Sequence, residues 1–357
     1  MRILQLIDSL RPGGAERMAV NLANELNSRV EASFLCCTRK EGLLKKEIHR
    51  QIGYLFLNKK SKLDVNAFLR LRHFILQNKI NIIQAHGTSW FFGVLLKFAI
   101  PSVKLIWHDH YGNSDILENR NERLLKFFSY KFDGVIAVNQ KLKKWAISTL
   151  KVSKVIQLNN FVVLPAFDEQ PEDNSVLSSK GFNILCIANL RPQKDHKNLL
   201  NAFELIASEH EDIYLYMVGE DPKTDYSAEI LEKISKSIYS SRIFYYGSQN
   251  PVTQFIKQAN IAVLSSKSEG LPLVLLEYAA VGLPVVCTDT GECRKIISSN
   301  ELLVPPENPE AIRAAVLKLY RNDFERKNEA EKMREKVEEF YGVENFISSY
   351  LDFCEKL

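Results

Sequence analysis

Residues Pro165-Ala-Phe-Asp-Glu-Gln-Pro-Glu-Asp-Asn-Ser-Val-Leu-Ser-Ser-Lys180 are polar, carry two prolines and have no apolar period, as a surface linker does. On both sides of this break the chain keeps the same rhythm. Before it, short runs rich in Ile, Val and Leu alternate with amphipathic stretches: Ile3 to Ile7, Ala32 to Cys37, Tyr54 to Leu57, Ile80 to Ile83, Val103 to Trp107, Gly134 to Val138 and Val155 to Leu158. After it the series restarts with Phe182 to Ala188, Ile213 to Val218, Ile243 to Tyr246, Ile261 to Leu264, Pro284 to Cys287 and Leu302 to Val304. Continuously apolar strands separated by helices belong to parallel sheets covered on both faces. The reading is therefore an α/β chain of two doubly wound, Rossmann-like domains. The first takes residues 1–164, the linker 165–180 and the second 181–341, while 342–357 form a terminal helix that packs back on the first domain. A length of 357 residues suits two domains of roughly 150 to 200 residues each.

Composition narrows the class. With 46% hydrophobic and 25% charged residues, global disorder is excluded. None of the six cysteines makes a CxxC pair or has a neighbouring His at zinc-ligand spacing, so they read as buried thiols of a reducing cytoplasm. No apolar run reaches the roughly 18 to 20 residues of a membrane span, since Trp90 to Ile100 is broken by Lys97. Met1 to Asp8 reads as a first strand rather than a signal peptide. A cytoplasmic protein is expected. The net charge of +4 hides an asymmetry: residues 1 to 165 carry 26 Lys/Arg against 12 Asp/Glu, the remainder 21 against 31. Such a basic half suits an anionic membrane surface or an acidic acceptor, or is a set of solvated Lys-rich helix faces.

Four segments carry the chemistry. Ser268-Glu-Gly-Leu-Pro-Leu-Val-Leu-Leu-Glu277 follows the strand Ile261 to Leu264 and enters a helix near Pro272. Glu269 then lies on the loop and Glu277 two turns into the helix. A helix N-terminus beside a Gly-containing loop offers backbone N–H groups to phosphate oxygens, and the carboxylates are left for sugar hydroxyls. Ile187-Ala-Asn-Leu-Arg-Pro-Gln-Lys-Asp-His196 follows the first strand of the second domain. Pro12-Gly-Gly-Ala-Glu-Arg17 follows the first strand of the chain, where doubly wound domains bind ligands. Trp107-His-Asp-His110 ends another strand. His108 and His110 are read as pointing to opposite faces, an expectation that argues against a metal held by both. No GxGxxG is present, against a dinucleotide oxidoreductase.

With these motifs the sequence resembles the retaining GT-B glycosyltransferases of family 4, also called glycosyl transferases group 1, over essentially its whole length. The resemblance implies two Rossmann-like domains facing each other across a cleft, and a nucleotide diphosphate sugar, UDP or GDP linked, as donor. It implies that Glu269 binds the donor sugar, that Gly270 and Leu271 offer backbone N–H groups, that Pro272 and Leu273 continue the donor loop, and that Glu277 holds the ribose. Lys194 matches the position that neutralises the pyrophosphate. Asn189 stands where the family commonly has an Arg, with Arg191 two residues on as a displaced substitute. Gly13 and Gly14 match the donor-facing loop of the N-terminal domain, and Gly219 and Gly247 match glycines near the nucleotide, although a turn with positive φ explains these two equally well. The family places a His near the transferred sugar, and the register allows His108 or His110, with Asp109 or a backbone group tuning it; His110 is slightly preferred. His86 matches a position on the acceptor side, and Asp289, Thr290 and Gly291 close the donor pocket.

No Asp-x-Asp occurs, so no metal or cofactor is expected, and Lys194, Arg191 and helix N-termini must supply the charge. The resemblance implies front-face transfer to a glycan or lipid-linked glycan, as in surface polysaccharide assembly. Trp90, Phe91 and Phe92 together with the basic half suit peripheral contact with an anionic inner membrane face, and Phe91 and Phe92 suit a core equally. No nucleic-acid partner is expected. A GT-B nucleotide-sugar epimerase and a non-catalytic nucleotide-sugar-binding protein are the competing readings.

Overall fold

The computed structural model describes residues 1–112, 117, 120, 122–163, 176, 177 and 181–357. They form two compact units, one of Met1–Phe161 with Val343–Leu357, the other of Val162–Gly342. The linker read at 165–180 lies outside the described residues except for Val176 and Leu177, whose N–H groups both donate to Gln258 Oε1 of the second unit.

The first unit is a seven-stranded parallel sheet in the order β3-β2-β1-β4-β5-β6-β7. Its strands are β1 (Arg2–Ser9), β2 (Ala32–Lys40), β3 (Gly53–Phe56), β4 (Ile82–His86), β5 (Lys104–Asp109), β6 (Gly134–Ala137) and β7 (Val155–Gln157). Side chains alternate between two cores. Phe34 and Cys36 of β2 enter the core under the helices α2 (Val65–Gln77), α3 (Trp90–Ala99) and α4 (Arg123–Phe128). Leu35 and Cys37 enter the core on the other face with α1 (Gly14–Leu26). Burial on both faces is why these strands read as unbroken apolar runs. Phe92, expected at a membrane or in a core, is in the core at 1% exposure, and Trp90 and Phe91 are partly buried against it and Phe128. Helix α5 (Gln140–Thr149) covers β6 and β7.

The second unit repeats the plan as a six-stranded parallel sheet, β10-β9-β8-β11-β12-β13. Its strands are β8 (Phe182–Ile187), β9 (Ile213–Val218), β10 (Ile243–Tyr245), β11 (Ile261–Leu264), β12 (Val285–Thr288) and β13 (Leu303–Val304). The helices between and after them are α6 (His196–Glu209), α7 (Asp225–Lys236), α8 (Thr253–Gln258), α9 (Leu273–Val281), α10 (Pro309–Arg321) and α11 (Asp323–Tyr341). Helix α9 is apolar nearly all round because it is buried between the sheet and α11.

The chain's last helix, α12 (Val343–Glu355), belongs to the first unit. Phe346 packs on Phe161, Arg29 pairs with Glu344, and the ring of Phe353 fills the space beside Gly134. All six cysteines are buried and unpaired. Among the described residues no helix is long and apolar enough to cross a membrane.

Candidate functional site

In each sheet the strand order reverses once, between β1 and β4 in the first unit and between β8 and β11 in the second. Loops leaving the C-terminal ends of such neighbouring strands part in opposite directions and open a crevice, the usual ligand address of a doubly wound sheet. Gly13, Gly14 and His86 follow or end strands of the first address, and Asn189 to Lys194 and Glu269 to Glu277 follow strands of the second, while His110, Gly219, Gly247 and Asp289 to Gly291 follow the strands β5, β9, β10 and β12.

In the second unit the loop after β8 is stitched to the loop after β11. Ser265 Oγ donates to the carbonyls of Lys194 and Asp195, at 3.0 and 3.1 Å, and the Lys267 N–H donates to the Gln193 carbonyl at 2.8 Å. This brings Lys194 Nζ to 2.5 Å from Glu269 Oε1, which also accepts from Ser266 Oγ at 2.6 Å. Glu269 is buried and Lys194 largely so. Lys194 is thus no exposed turn lysine, and its ammonium keeps two further N–H donors. Ser266 is held in turn by Thr288 Oγ1, which donates to its carbonyl at 2.6 Å.

The loop continues through Gly270 and Leu271, both buried, to Pro272, the N-cap of α9, with Leu273 the first helical residue; no side chain caps this helix. Glu277 is the fifth helical residue, half-buried and little more than one turn in, not two turns, because the helix starts only at Leu273. Its neighbour Tyr278 is fully buried and its hydroxyl accepts the Ile187 N–H at 2.7 Å, which anchors α9 to the end of β8. Gly291 takes φ +55, and a Cβ there would lie 2.3 Å from the carbonyl oxygens of Glu269 and Gly270, so the Asp289–Gly291 turn packs directly on the glutamate loop. Asp289 pairs with Arg294. Apart from Asp289 and Gly291, read with Thr290 as closing a pocket, none of these supports was read from sequence. Tyr278 and Thr288 carry no motif, since their partners are backbone groups distant along the chain, and Ser266 meets the Glu269 carboxylate three residues on.

Asn189 has a role that an arginine could not fill. Its Oδ1 accepts the Glu220 N–H at 2.8 Å, and a guanidinium has no acceptor. Arg191 is exposed and forms no part of that link. Beside it, Gly219 owes its identity to close approach and not to a positive φ, since a Cβ would fall 2.0 Å from the Ala188 carbonyl oxygen. Gly247 does have positive φ, +63, and accepts the Gly219 N–H. His196, next to Lys194, is pushed down to about 4 by burial and is neutral.

In the first unit Gly13 is the N-cap of α1 and Gly14 its first residue, while Arg17 is taken by Glu47 at 3.0 Å. Asp8, ending β1, accepts from Thr38 Oγ1 and, at 2.7 Å, from Thr88 Oγ1. The histidines correct one expectation. His108 and His110 do not point to opposite faces: their ring centroids are 3.9 Å apart, as fits residues two apart on extended backbone, which share one face. Asp109 does not tune either ring. Buried, it holds Arg120 by two bonds of 2.7 and 2.8 Å, and that guanidinium lies over Trp107, Tyr111 and Trp145.

His108 is fully buried in β5 against Gln84, so it does not reach a ligand; of the two candidates only His110 is partly exposed. His110 Nε2 lies 2.9 Å from His86 Nδ1, and His86 Nε2 lies 2.8 Å from Gln5 Oε1. The chain of bonds sets the tautomers. With the Gln5 carbonyl oxygen as acceptor, His86 carries its proton on Nε2, His86 Nδ1 accepts from His110 Nε2–H, and His110 Nδ1 retains a lone pair. Burial pushes His110 down to about 3 and His86 and His108 well below the ordinary imidazole range, so all three are neutral near pH 7. A neutral His110 with a bare Nδ1 is suited to accept a hydroxyl proton in a hydrogen bond.

The same three imidazoles are the group with metal-ligand spacing among the described residues, their ligand atoms within 4.8 Å of one another. No carboxylate joins the group, and one nitrogen each of His86 and His110 is committed to the bond between them.

Two family models match the chain: glycosyltransferase family 4 over residues 12–164 and glycosyl transferases group 1 over residues 168–340. Among curated proteins, the chain is 25% identical to N-acetyl-alpha-D-glucosaminyl L-malate synthase of Bacillus anthracis, over 64% of this chain and 60% of that one. It is 24% identical to the amylovoran biosynthesis glycosyltransferase AmsD of Erwinia amylovora, over 64% of each. The chain thus spans somewhat less than two thirds of these relatives. Among solved structures, Anabaena Alr3699/HepE in complex with UDP and glucose superposes with a TM-score of 0.84 over 100% of both chains at 18% identity, a likeness of fold. With both domains matched and both sheets in place, the chain belongs to the group 1 glycosyltransferases of GT-B fold, a family with relatives in polysaccharide and glycan biosynthesis.

Proposed function

We propose that the protein is a retaining, metal-independent transferase that moves a sugar from a UDP- or GDP-linked donor to a glycan or lipid-linked glycan, in surface polysaccharide assembly at the cytoplasmic face of the membrane. The observation that carries the donor reading is the Lys194–Glu269 pair at the switch point of the second sheet, beside the uncapped start of α9. Diphosphate oxygens find there an ammonium and helix-end N–H groups, and sugar hydroxyls find two carboxylates. That the HepE structure holds UDP and glucose supports the same assignment.

In this reading the bond from the anomeric carbon to the diphosphate breaks while the bond to the acceptor oxygen forms on the same face. The acceptor's proton passes to the departing phosphate. Glu269, already committed to Lys194, positions the sugar and does not attack it. His110 accepts a hydrogen bond from a sugar hydroxyl through Nδ1, and Glu277 binds the ribose. Asn189 in place of Arg favours, as a second reading, a protein that binds the donor without turnover.

The test is a thermal-shift panel of UDP, GDP, ADP and their common sugars against the wild type and Glu277→Ala, since a ligand of the folded state raises its melting temperature. One nucleotide should stabilise the wild type and lose most of that effect in the variant, and transfer with that donor should persist in EDTA. No shift with any nucleotide would sink the donor reading. Binding without transfer or donor hydrolysis would favour the second one.

A further inference from the structure

Helices α2, α3 and α4 cover one face of the first sheet, and their inner sides share one core. Their outer sides are unusual. On α2, Val65, Leu69 and Leu76 recur at helical spacing along the solvent side, and Leu69 is 54% exposed. On α4, Leu124 and Phe127 stand one turn apart, exposed by 61% and 65%, while Leu125 and Phe128 face inward. Phe98 at the end of α3 is exposed as well and packs edge-on against Phe128.

The same face is basic. Arg72 lies in the α2 stripe, Arg123 and Lys126 flank the apolar pair of α4, and all three are exposed. Lys131 Nζ sits 4.3 Å from the ring of Phe98 and 5.0 Å from that of Tyr130, its stem laid along apolar surface. None of these four cations has an acidic ion-pair partner among the described residues. Of the acidic groups nearby, Asp64 caps α2 by accepting the Ala67 N–H, Asp133 holds Lys97 and Lys104, and Glu122 stands at the start of α4 without pairing any of the four cations.

We infer that this face, the outer sides of α2 and α4 with Phe98, is a docking surface for an anionic lipid bilayer. Isolated large apolar side chains interspersed with arginines and lysines suit the headgroup boundary, where the apolar groups insert and the cations meet lipid phosphates. A protein partner fits less well, because interface cores are depleted in Lys. The site differs from the Trp90–Phe92 segment first considered, whose first and last rings pack against or within the core. It rests on the lipid-linked acceptor reading for its purpose only. Vesicle binding is measured without donor or acceptor, so its failure leaves the donor assignment untouched.

The full chain is sedimented with phosphatidylcholine vesicles and with vesicles that also contain phosphatidylglycerol. Binding is expected only to the second kind, and to weaken as salt is raised. The pair Leu124→Ser with Phe127→Ser should lower partition at least tenfold, and so should Arg123→Glu with Lys126→Glu, each at an unchanged melting temperature, since all four side chains are exposed. Equal partition into neutral vesicles, or wild-type binding by the Ser pair, would overturn the inference. So would a concentration-dependent dimer that the Ser pair abolishes in a protein that does not bind vesicles, since the face would then belong to a second copy.

Discussion

The two switch points occupy the same place in two similar sheets and are built from opposite materials. In the second unit the end of β8 meets the loop after β11 through an ion pair, Lys194 on Glu269, held by Ser266 and by backbone bonds from Ser265 and Lys267. In the first unit Asp8 at the end of β1 accepts from Thr88 and lies 3.7 Å from Arg39 Nε, but the bonds that join β1 to β4 and the residue after β5 run through the neutral chain Gln5–His86–His110, with Asp109 diverted to Arg120. A charged site is suited to a diphosphate, whose charge it must match. A neutral site with set tautomers suits hydroxyls, where direction of hydrogen bonding discriminates and net charge does not. The fold is thus common property, while the chemistry follows from which side chains the sequence delivers to the strand ends.

Breaking the pair in the second unit should give the largest effect. Lys194→Ala leaves Glu269 buried without its cation, a loss of about 3 kcal/mol in stability if the carboxylate stays charged. In the proposed reaction it also removes the ammonium that would meet the diphosphate, for a fall in transfer rate on the order of 100-fold or more. The check is kcat and melting temperature of Lys194→Ala beside Lys194→Met, which keeps the apolar stem. A rate within a factor of a few of wild type would show that the pair merely holds the two loops together.

Acid should separate the units. An imidazole whose pKa is lowered by folding contributes fully above the unfolded value near 6.5, and its contribution falls as pH drops toward the folded value, because the unfolded chain then binds the proton that the native one refuses. The first unit has three such groups, His86, His108 and His110, the last near 3, whereas the second has His196, near 4. Each costs up to about 1.4 kcal/mol per pH unit below 6.5. All three tryptophans, Trp90, Trp107 and Trp145, lie in the first unit, so their fluorescence reports it alone. Between pH 6.5 and 4.5 the melting midpoint read by tryptophan should fall below that read by far-ultraviolet circular dichroism. Coincident midpoints at every pH would refute the difference.

The two units were not equally legible. Every strand of both sheets was visible as an apolar run to within a few residues, because burial on both faces leaves no alternation to confuse. The loop proposed to hold the donor was visible as a motif too, since Glu269, Gly270 and Pro272 lie together in sequence and make their signal locally. Most of its supports were not: Gly291 is read near it from sequence, but Tyr278 meets Ile187, and Thr288 meets Ser266, only through tertiary packing. In the first unit periodicity was misapplied. Strand alternation was applied one residue out of step: residues two apart share a face, so the close approach of the His108 and His110 rings follows from the period and was missed by that error. The outward stripe of α2 was illegible for a different reason, since an amphipathic helix with apolar residues on both sides has an ambiguous inner face until the sheet is placed.

The smallest effect concerns the neutral site itself. His86 touches no solvent, so His86→Phe alters the proposed reaction only through His110, whose Nε2–H loses its acceptor and whose tautomer is no longer set. A side-chain amide at the same place, in His86→Gln, can again accept from His110 Nε2–H. The Phe variant should lose about tenfold in kcat, the size of one misdirected hydrogen bond, with donor KM and nucleotide stabilisation of the second unit unchanged, and the Gln variant should recover part of that loss. Nitrogen chemical shifts of His110 are the decisive measurement. They should report a proton on Nε2 in the wild type and a tautomer mixture in His86→Phe; the same single tautomer in both would mean that His86 fills space and directs nothing.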